Sequence, residues 1–218
     1  MSSDCYMCDA EAVGREHVPP QCFFPAGHRK NLVTVPSCDT HNSNNSKDVE
    51  YVRNVLAFLS ETNELASEVL ETAKRSFDRS EALFNQTFRG LRPVQVEGGE
   101  TGAFPIDLPR LQRVMKAIAY AVYFHDYGKK HDGDWRIFTP SLRHARELYD
   151  GQPDPWEGLR KYLESGSLTP MPVAEPRVFR YGVLQLERPQ LLYRFEFYEA
   201  FTVNAWTLFQ TYVSFGGR

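Results

Sequence analysis

The sequence predicts an α+β protein in three parts: an N-terminal unit built around a metal ion, a mostly helical segment, and a small C-terminal antiparallel sheet. Three observations carry this reading. Two residue pairs with metal-ligand spacing, Cys5-x2-Cys8 and Cys38-x2-His41, fall within the first 58 residues, which are rich in turn formers. Beyond them, apolar residues recur at helical spacing through several segments. From about residue 177 the chain turns aromatic and β-branched with partial alternation, as strands do. The change of pattern divides the chain into a metal-bound unit at 1–58 and an accessory unit at 59–218.

Within the first unit, "REHVPP" reads as a hairpin strand that stops at Pro19 and Pro20, because proline has no N–H to give a ladder. After "SCDTHNSNNSKD", the spacing of Val52, Val55, Leu56 and Leu59 predicts a helix from about Asp39 or Ser43 to Leu59. Two more helices are expected in "NELASEVLETAKRSF" and "RSEALFNQTF", ended near Gly90 and Pro93, and "VEGGETGAFP" reads as an exposed loop. Dense apolar residues from Leu108 to Phe124 predict a central buried helix, capped by Gly128, with Lys129 and Lys130 at the negative end of its dipole. "PWEGLRKYLES" opens a further helix with Pro155 in its first turn. "RVFRYGVLQL", "QLLYRFEFYEAF" and "VNAWTLFQTYVSF" supply the strands of the sheet.

With 218 residues and 42% hydrophobic side chains, the chain has enough apolar mass for a real core. No apolar run approaches the roughly 18 residues of a membrane helix, and "MSSDC" lacks the profile of an export signal, so a cytoplasmic protein is expected. In that reducing compartment, four cysteines argue for metal rather than disulfides. The net charge of −3 gives the whole molecule no general attraction for nucleic acid, and residues 1–58 carry seven acidic and five basic side chains. Any nucleic-acid binding must come from a local patch or from bound cations.

The two pairs each fit two corners of a tetrahedron, and three thiolates with one imidazole suit zinc. The 29 residues between the pairs cost little extra, because loop-closure entropy grows only logarithmically. Four protein ligands leave no open coordination position, so such a zinc folds the unit rather than reacting. Cys22 stands outside the pattern and reads as a packed thiol beside Phe23 and Phe24. Asn42 directly follows the last zinc ligand, while Glu16 and His17 lie between the corners. A carboxylate and an amide oxygen suit a hard cation such as Mg²⁺, and a neutral imidazole beside them has the basicity to deprotonate water near neutral pH.

Taken together, "CYMC", "REHVPP", "NLVTVPSC" and "CDTHN" resemble the HNH endonucleases, the ββα-metal nucleases, in their zinc-bound subgroup. The resemblance covers roughly residues 5 to 55. It implies that His17 is the general base, that Glu16 and Asn42 hold a catalytic divalent ion, and that Asn31 holds the loop and orients the histidine. It further implies Zn²⁺ as structural ion, Mg²⁺ or another divalent cation as catalytic ion, and DNA as substrate. Two features depart from the commoner family pattern: Glu16 replaces an aspartate, and His41 stands where many relatives have a fourth cysteine. His41 is therefore open to either ion, with zinc favoured by its spacing from Cys38. Asn45, one turn beyond Asn42, is a weaker candidate for a supporting role.

The same chain carries partial matches to other chemistries. "FHDYGKKHDGD" resembles the His-Asp core of HD-type phosphohydrolases, but the nearest upstream histidine, His41, already belongs to the zinc set. A zinc deaminase needs His-x-Glu ahead of Pro-Cys-x2-Cys, whereas the order here is Glu-His and Ser37 precedes Cys38. Arg75, Arg79, Arg89 and Arg92 offer phosphate contacts, yet Glu68, Glu71, Asp78 and Glu81 are interleaved with them as on an ordinary solvated face. The rival from another class is a zinc-stabilised module that binds nucleic acid or protein without cutting. The aromatic C-terminal strands are the expected place for a protein partner or a second copy of the chain, with no role for a membrane.

Overall fold

The computed structural model describes residues 4–42, 46–96, 99–140, 142, 168–185 and 190–208. The fold is α+β, with helices between an N-terminal hairpin and a C-terminal antiparallel sheet. Strands β1 (Gly14–His17) and β2 (Thr34–Ser37) pair antiparallel, with Glu16 opposite Val35 and His17 opposite Thr34. β2 runs directly into the short α1 (Asp39–Asn42), and α2 (Ser46–Leu59) follows. The chain order around the cysteines is thus strand, strand, helix. Asn45 lies outside the described residues.

Asn63 caps α3 (Glu64–Arg79), its side chain accepting from the N–H groups of Leu65 and Ala66, and Ser80 caps α4 (Glu81–Thr87) in the same manner. The expected loop after α4 is instead a hairpin of β3 (Arg92–Val96) and β4 (Gly99–Ala103). Its described side chains are largely exposed on both faces, so no burial alternation marks it in the sequence. Helix α5 (Leu108–Tyr127) is the central buried helix, starting at an Asp107 cap and ending at Gly128, whose φ of 65° is the left-handed conformation that glycine adopts freely.

The C-terminal sheet is larger than the sequence reading of three strands. Among the described residues its five strands lie in the order β5 (Asp134–Phe138), β9 (Phe201–Leu208), β8 (Leu191–Phe197), β7 (Phe179–Gln185), β6 (Thr169–Pro170), all antiparallel. β5 carries a period-two pattern, with Trp135 and Ile137 buried between exposed Asp134 and Arg136. The helix expected at Pro155 and the end of the last predicted strand lie outside the described residues.

One continuous buried cluster runs from Cys5, Tyr6 and Val35 through the helices to Tyr193, Phe197 and Val203. Helix α5 packs on α2, β2, β5 and β9, so it touches both the hairpin and the sheet. Its N-terminal end is fixed to α2 by Asp48, which accepts from Arg110 Nε (2.7 Å) and Arg113 Nε (2.8 Å). The loop between β1 and β2 is docked on the sheet: Tyr198 Oη donates to the Phe23 carbonyl (2.7 Å), the Phe23 and Phe197 rings meet edge to face, and His28 Nδ1 lies 2.6 Å from Glu175 Oε2. Among the described residues no helix is long and apolar enough to cross a membrane.

Candidate metal centre and the adjoining carboxylate pocket

The first cysteine pair sits in a tight loop. A bridge between Asp4 and Glu11 closes it, and the Cys5 N–H donates to the Ala10 carbonyl (2.9 Å). Tyr6 N–H to Pro36 O (2.9 Å) and Val13 N–H to Ser37 O (3.1 Å) then lock the loop to β2. The second pair straddles the start of α1. There the Cys38 carbonyl accepts from the N–H groups of His41 (3.1 Å) and Asn42 (3.0 Å), and the turn brings the imidazole back over its own cysteine.

These two corners place Cys5, Cys8, Cys38 and His41 together, every ligand atom within 4.8 Å of the others. Cys8 Sγ lies 3.7 Å from Cys38 Sγ. His41 Nδ1 lies 3.4 Å from both Cys5 Sγ and Cys38 Sγ. A tetrahedral zinc with bonds of about 2.3 Å to sulfur and about 2.0–2.1 Å to nitrogen requires edges of about 3.8 Å and about 3.5 Å respectively. The cluster therefore has the donors and the size to bind a metal ion such as zinc. Burial pushes His41 below its ordinary value, which favours the neutral, ligating imidazole. Burial also opposes ionisation of Cys38, but the backbone N–H groups of His41 and Thr40, with the neighbouring thiols, outweigh it and lower that thiol.

Beside this cluster lies a second feature. Glu16 and His17 line one narrow pocket with Tyr6, walled by Val18 and Pro20, by Val49 of α2, and by Val114, Ala117, Ile118 and Ala121 of α5. Glu16 Oε2 and Tyr6 Oη are both buried there without a hydrogen-bond partner. Burial pushes the Glu16 carboxyl up to about 7, opposed in part by the nearby Tyr6 phenol, and burial first and the Glu16 charge second raise Tyr6. The phenol is thus near enough to sense the carboxylate, although no hydrogen bond closes between them.

Asn42 is exposed at the end of α1, its Nδ2 lying 3.8 Å from the position a Cβ would take on Gly14. Residues i and i+2 of a strand share a face, so Asn42 approaches the β1 face that also carries Glu16. Asn31 occupies the exposed turn before β2, its backbone left-handed at φ 56°. That turn lies just beyond the rung in which Val18 N–H donates to Val33 O (2.9 Å). Arg75, Arg79, Arg89 and Arg92 are solvent-exposed, as an ordinary charged face requires. Cys22 packs partly buried against the main core, away from the ligand set.

Residues that the motifs do not include also meet the site. Tyr6 stands inside the first cysteine pair and shares the pocket with Glu16. Lys130 reaches the same loop from the far end of α5. Neither position follows from a spacing rule, since Lys130 is 122 residues from Cys8. Comparisons of the chain with protein-family models, curated proteins and solved structures find no match in any of the three.

Proposed function

We propose that residues 1–58 form a divalent-cation-dependent endonuclease unit of the HNH type, which hydrolyses phosphodiester bonds of DNA around a structural zinc. The observation that carries the reading is the placement of Glu16, His17 and Asn42 on or beside β1, close to the Cys/His cluster. Glu16 and His17 line one pocket on β1, and Asn42, next in sequence to His41, approaches the same strand at Gly14. The strand–strand–helix order of the hairpin and α1 supports it as well. Residues 59–218 are then the accessory part, which sets substrate choice or holds a protein partner or second copy.

In this reading His17 accepts the proton of a water as that water attacks phosphorus in line with the departing 3′ oxygen. Glu16 and Asn42 are the residues that would hold the divalent cation. The buried Oε2 without a partner is the kind of acceptor a cation satisfies, and a carboxylate with an amide oxygen is a hard donor set. When bound, such an ion supplies charge neutralisation at the phosphoryl oxygens. Asn31 fixes the turn at the loop end of the hairpin, next to the His17–Thr34 pair, and so helps to orient His17.

A second reading has its own support. The wall beside Glu16 is mostly apolar and the pocket narrow, which suits a zinc-stabilised module that binds nucleic acid or protein without cleaving. Plasmid cleavage with and without Mg²⁺ separates the two, using wild type and His17→Ala shown to hold equal zinc. The nuclease reading expects Mg²⁺-dependent cutting that falls at least about a hundredfold in the variant, in the range of a lost general base. Equal Mg²⁺-dependent rates in both proteins remove His17 from the mechanism, and no cutting by either leaves the binding module as the function.

A further inference from the structure

We infer that Lys130 is a positioning residue for the metal centre, an ammonium carried from the end of α5 that holds the first cysteine loop in its ligating shape. Lys130 Nζ donates to the Cys8 carbonyl (3.1 Å), to Asp9 Oδ1 (2.6 Å) and to Asp4 Oδ2 (3.4 Å). These three acceptors bracket the loop that presents Cys5 and Cys8. The sequence reading places Lys130 only at the negative end of the α5 dipole. The structure sends the side chain across to the N-terminal unit instead.

The loop that carries Lys130 is built to present it. Gly128 turns the chain off α5, its N–H donating to Phe124 O (2.9 Å). Three residues on, the buried His131 sets its ring 4.8 Å from those of Tyr123 and Trp135. Its Nδ1 accepts from the Gly133 N–H at 3.0 Å. Tyr120 Oη donates to the Gly133 carbonyl (2.8 Å), and Lys116 Nζ holds Asp134 at the start of β5 (2.8 Å). The loop is therefore anchored to α5 on one side and to β5 on the other, and Lys130 crosses from a fixed base.

Two physical effects follow. Three thiolates and one imidazole around a divalent ion leave one net negative charge, which a neighbouring ammonium offsets. The bond to the Cys8 carbonyl also fixes the backbone of a ligand residue, and partners of this outer kind commonly change metal affinity by about 10–100-fold. The ion pair with Asp9 contributes less, because the Asp9 side chain is 99% exposed and such surface pairs are weak. The Cys8 carbonyl is the contact that matters.

This inference rests on the metal reading of the cluster and is independent of the nuclease reading. The test is the rate at which zinc passes from the full-length, zinc-loaded protein to an excess of a chromogenic chelator. It compares wild type, Lys130→Met, Lys130→Arg and Asp9→Asn, with zinc content and helical signal recorded for each. Release about tenfold faster in Lys130→Met, rescue to within about threefold in Lys130→Arg, and less than a twofold change in Asp9→Asn are expected. Release from Lys130→Met within twofold of wild type overturns the role of Lys130. A wild type that binds no zinc overturns the metal reading beneath it.

Discussion

Tyr6 and Glu16 bury their polar ends in one pocket, and no hydrogen bond joins them. The Glu16 Oε2 so placed has lost water with no hydrogen bond closed to it, and burial, only partly opposed by the Tyr6 phenol, holds Glu16 up at about 7, against 4.5 ordinarily. The sign of the resulting pH effect follows from linkage. Between about pH 4.5 and 7 the folded chain keeps a proton on Glu16 that the unfolded chain has released, so stability falls as pH rises through this window and levels off above it. The full gap is worth at most about 3 kcal/mol. Denaturant unfolding of the zinc-saturated protein without other divalent ions should therefore show Glu16→Gln gaining about 1–3 kcal/mol on wild type between pH 5 and 8. Parallel pH slopes in the two proteins would mean that Glu16 titrates as an ordinary surface carboxylate.

If that carboxylate is a cation ligand, Mg²⁺ should reverse the penalty. At pH 8, saturating Mg²⁺ is expected to stabilise wild type by about 1–3 kcal/mol, as ligand at about 10–100 times its dissociation constant does. It should stabilise Glu16→Gln and Asn42→Ala by less than about 0.5 kcal/mol. The measurement is the thermal or denaturant midpoint at fixed zinc and varied Mg²⁺. A wild type whose midpoint ignores Mg²⁺ has no such site, whatever its zinc content.

The cysteines separate cleanly by position. Cys5 and Cys38 are buried members of the main core as well as candidate ligands, so losing a metal held there would open part of that core. Cys38→Ser should reduce bound zinc from about one per chain to a small fraction and lower stability by more than about 3 kcal/mol, because metal-binding energy is folding energy in such sites. Cys22→Ala should leave the zinc content unchanged and cost about 1 kcal/mol, the price of a small packed thiol. Elemental analysis with an unfolding curve for each variant tests both. Equal zinc loss in the two would place Cys22 within the ligand set.

How far the sequence carries depends on whether the relevant contact is local. The Cys-x2-Cys and Cys-x2-His spacings lie within single turns, and the cluster they form is the one observed. α5 was legible because its apolar residues are dense and Gly128 marks its end. The β3–β4 hairpin was not, since its described side chains are largely exposed and exposure leaves no hydrophobic period to read. β5 offered only the Trp135 and Ile137 alternation, in five residues after a polar loop. The pocket wall was illegible for another reason. Val114, Ala117, Ile118 and Ala121 reach Glu16 across about a hundred residues of chain, and no spacing rule predicts which helix face will meet which strand.

Gly14 offers a way to displace Asn42 without substituting any candidate ligand. A Cβ at position 14 would stand 3.8 Å from Asn42 Nδ2, ordinary van der Waals contact, and the position is solvent-exposed. Gly14→Ala should therefore be accommodated, and it should stabilise the hairpin by about 0.5 kcal/mol because alanine loses less backbone freedom than glycine. Gly14→Leu is different, since its branched side chain would occupy the space in which the Asn42 amide lies. Zinc content should stay at the wild-type level in both, as neither change substitutes a member of the Cys/His cluster. Mg²⁺-dependent cleavage should survive in Gly14→Ala and fall about tenfold or more in Gly14→Leu, as displaced positioning groups cause. Undiminished cleavage by Gly14→Leu, with zinc retained, would show that Asn42 does no work from this face of β1 and would leave Glu16 and His17 to account for the chemistry without it.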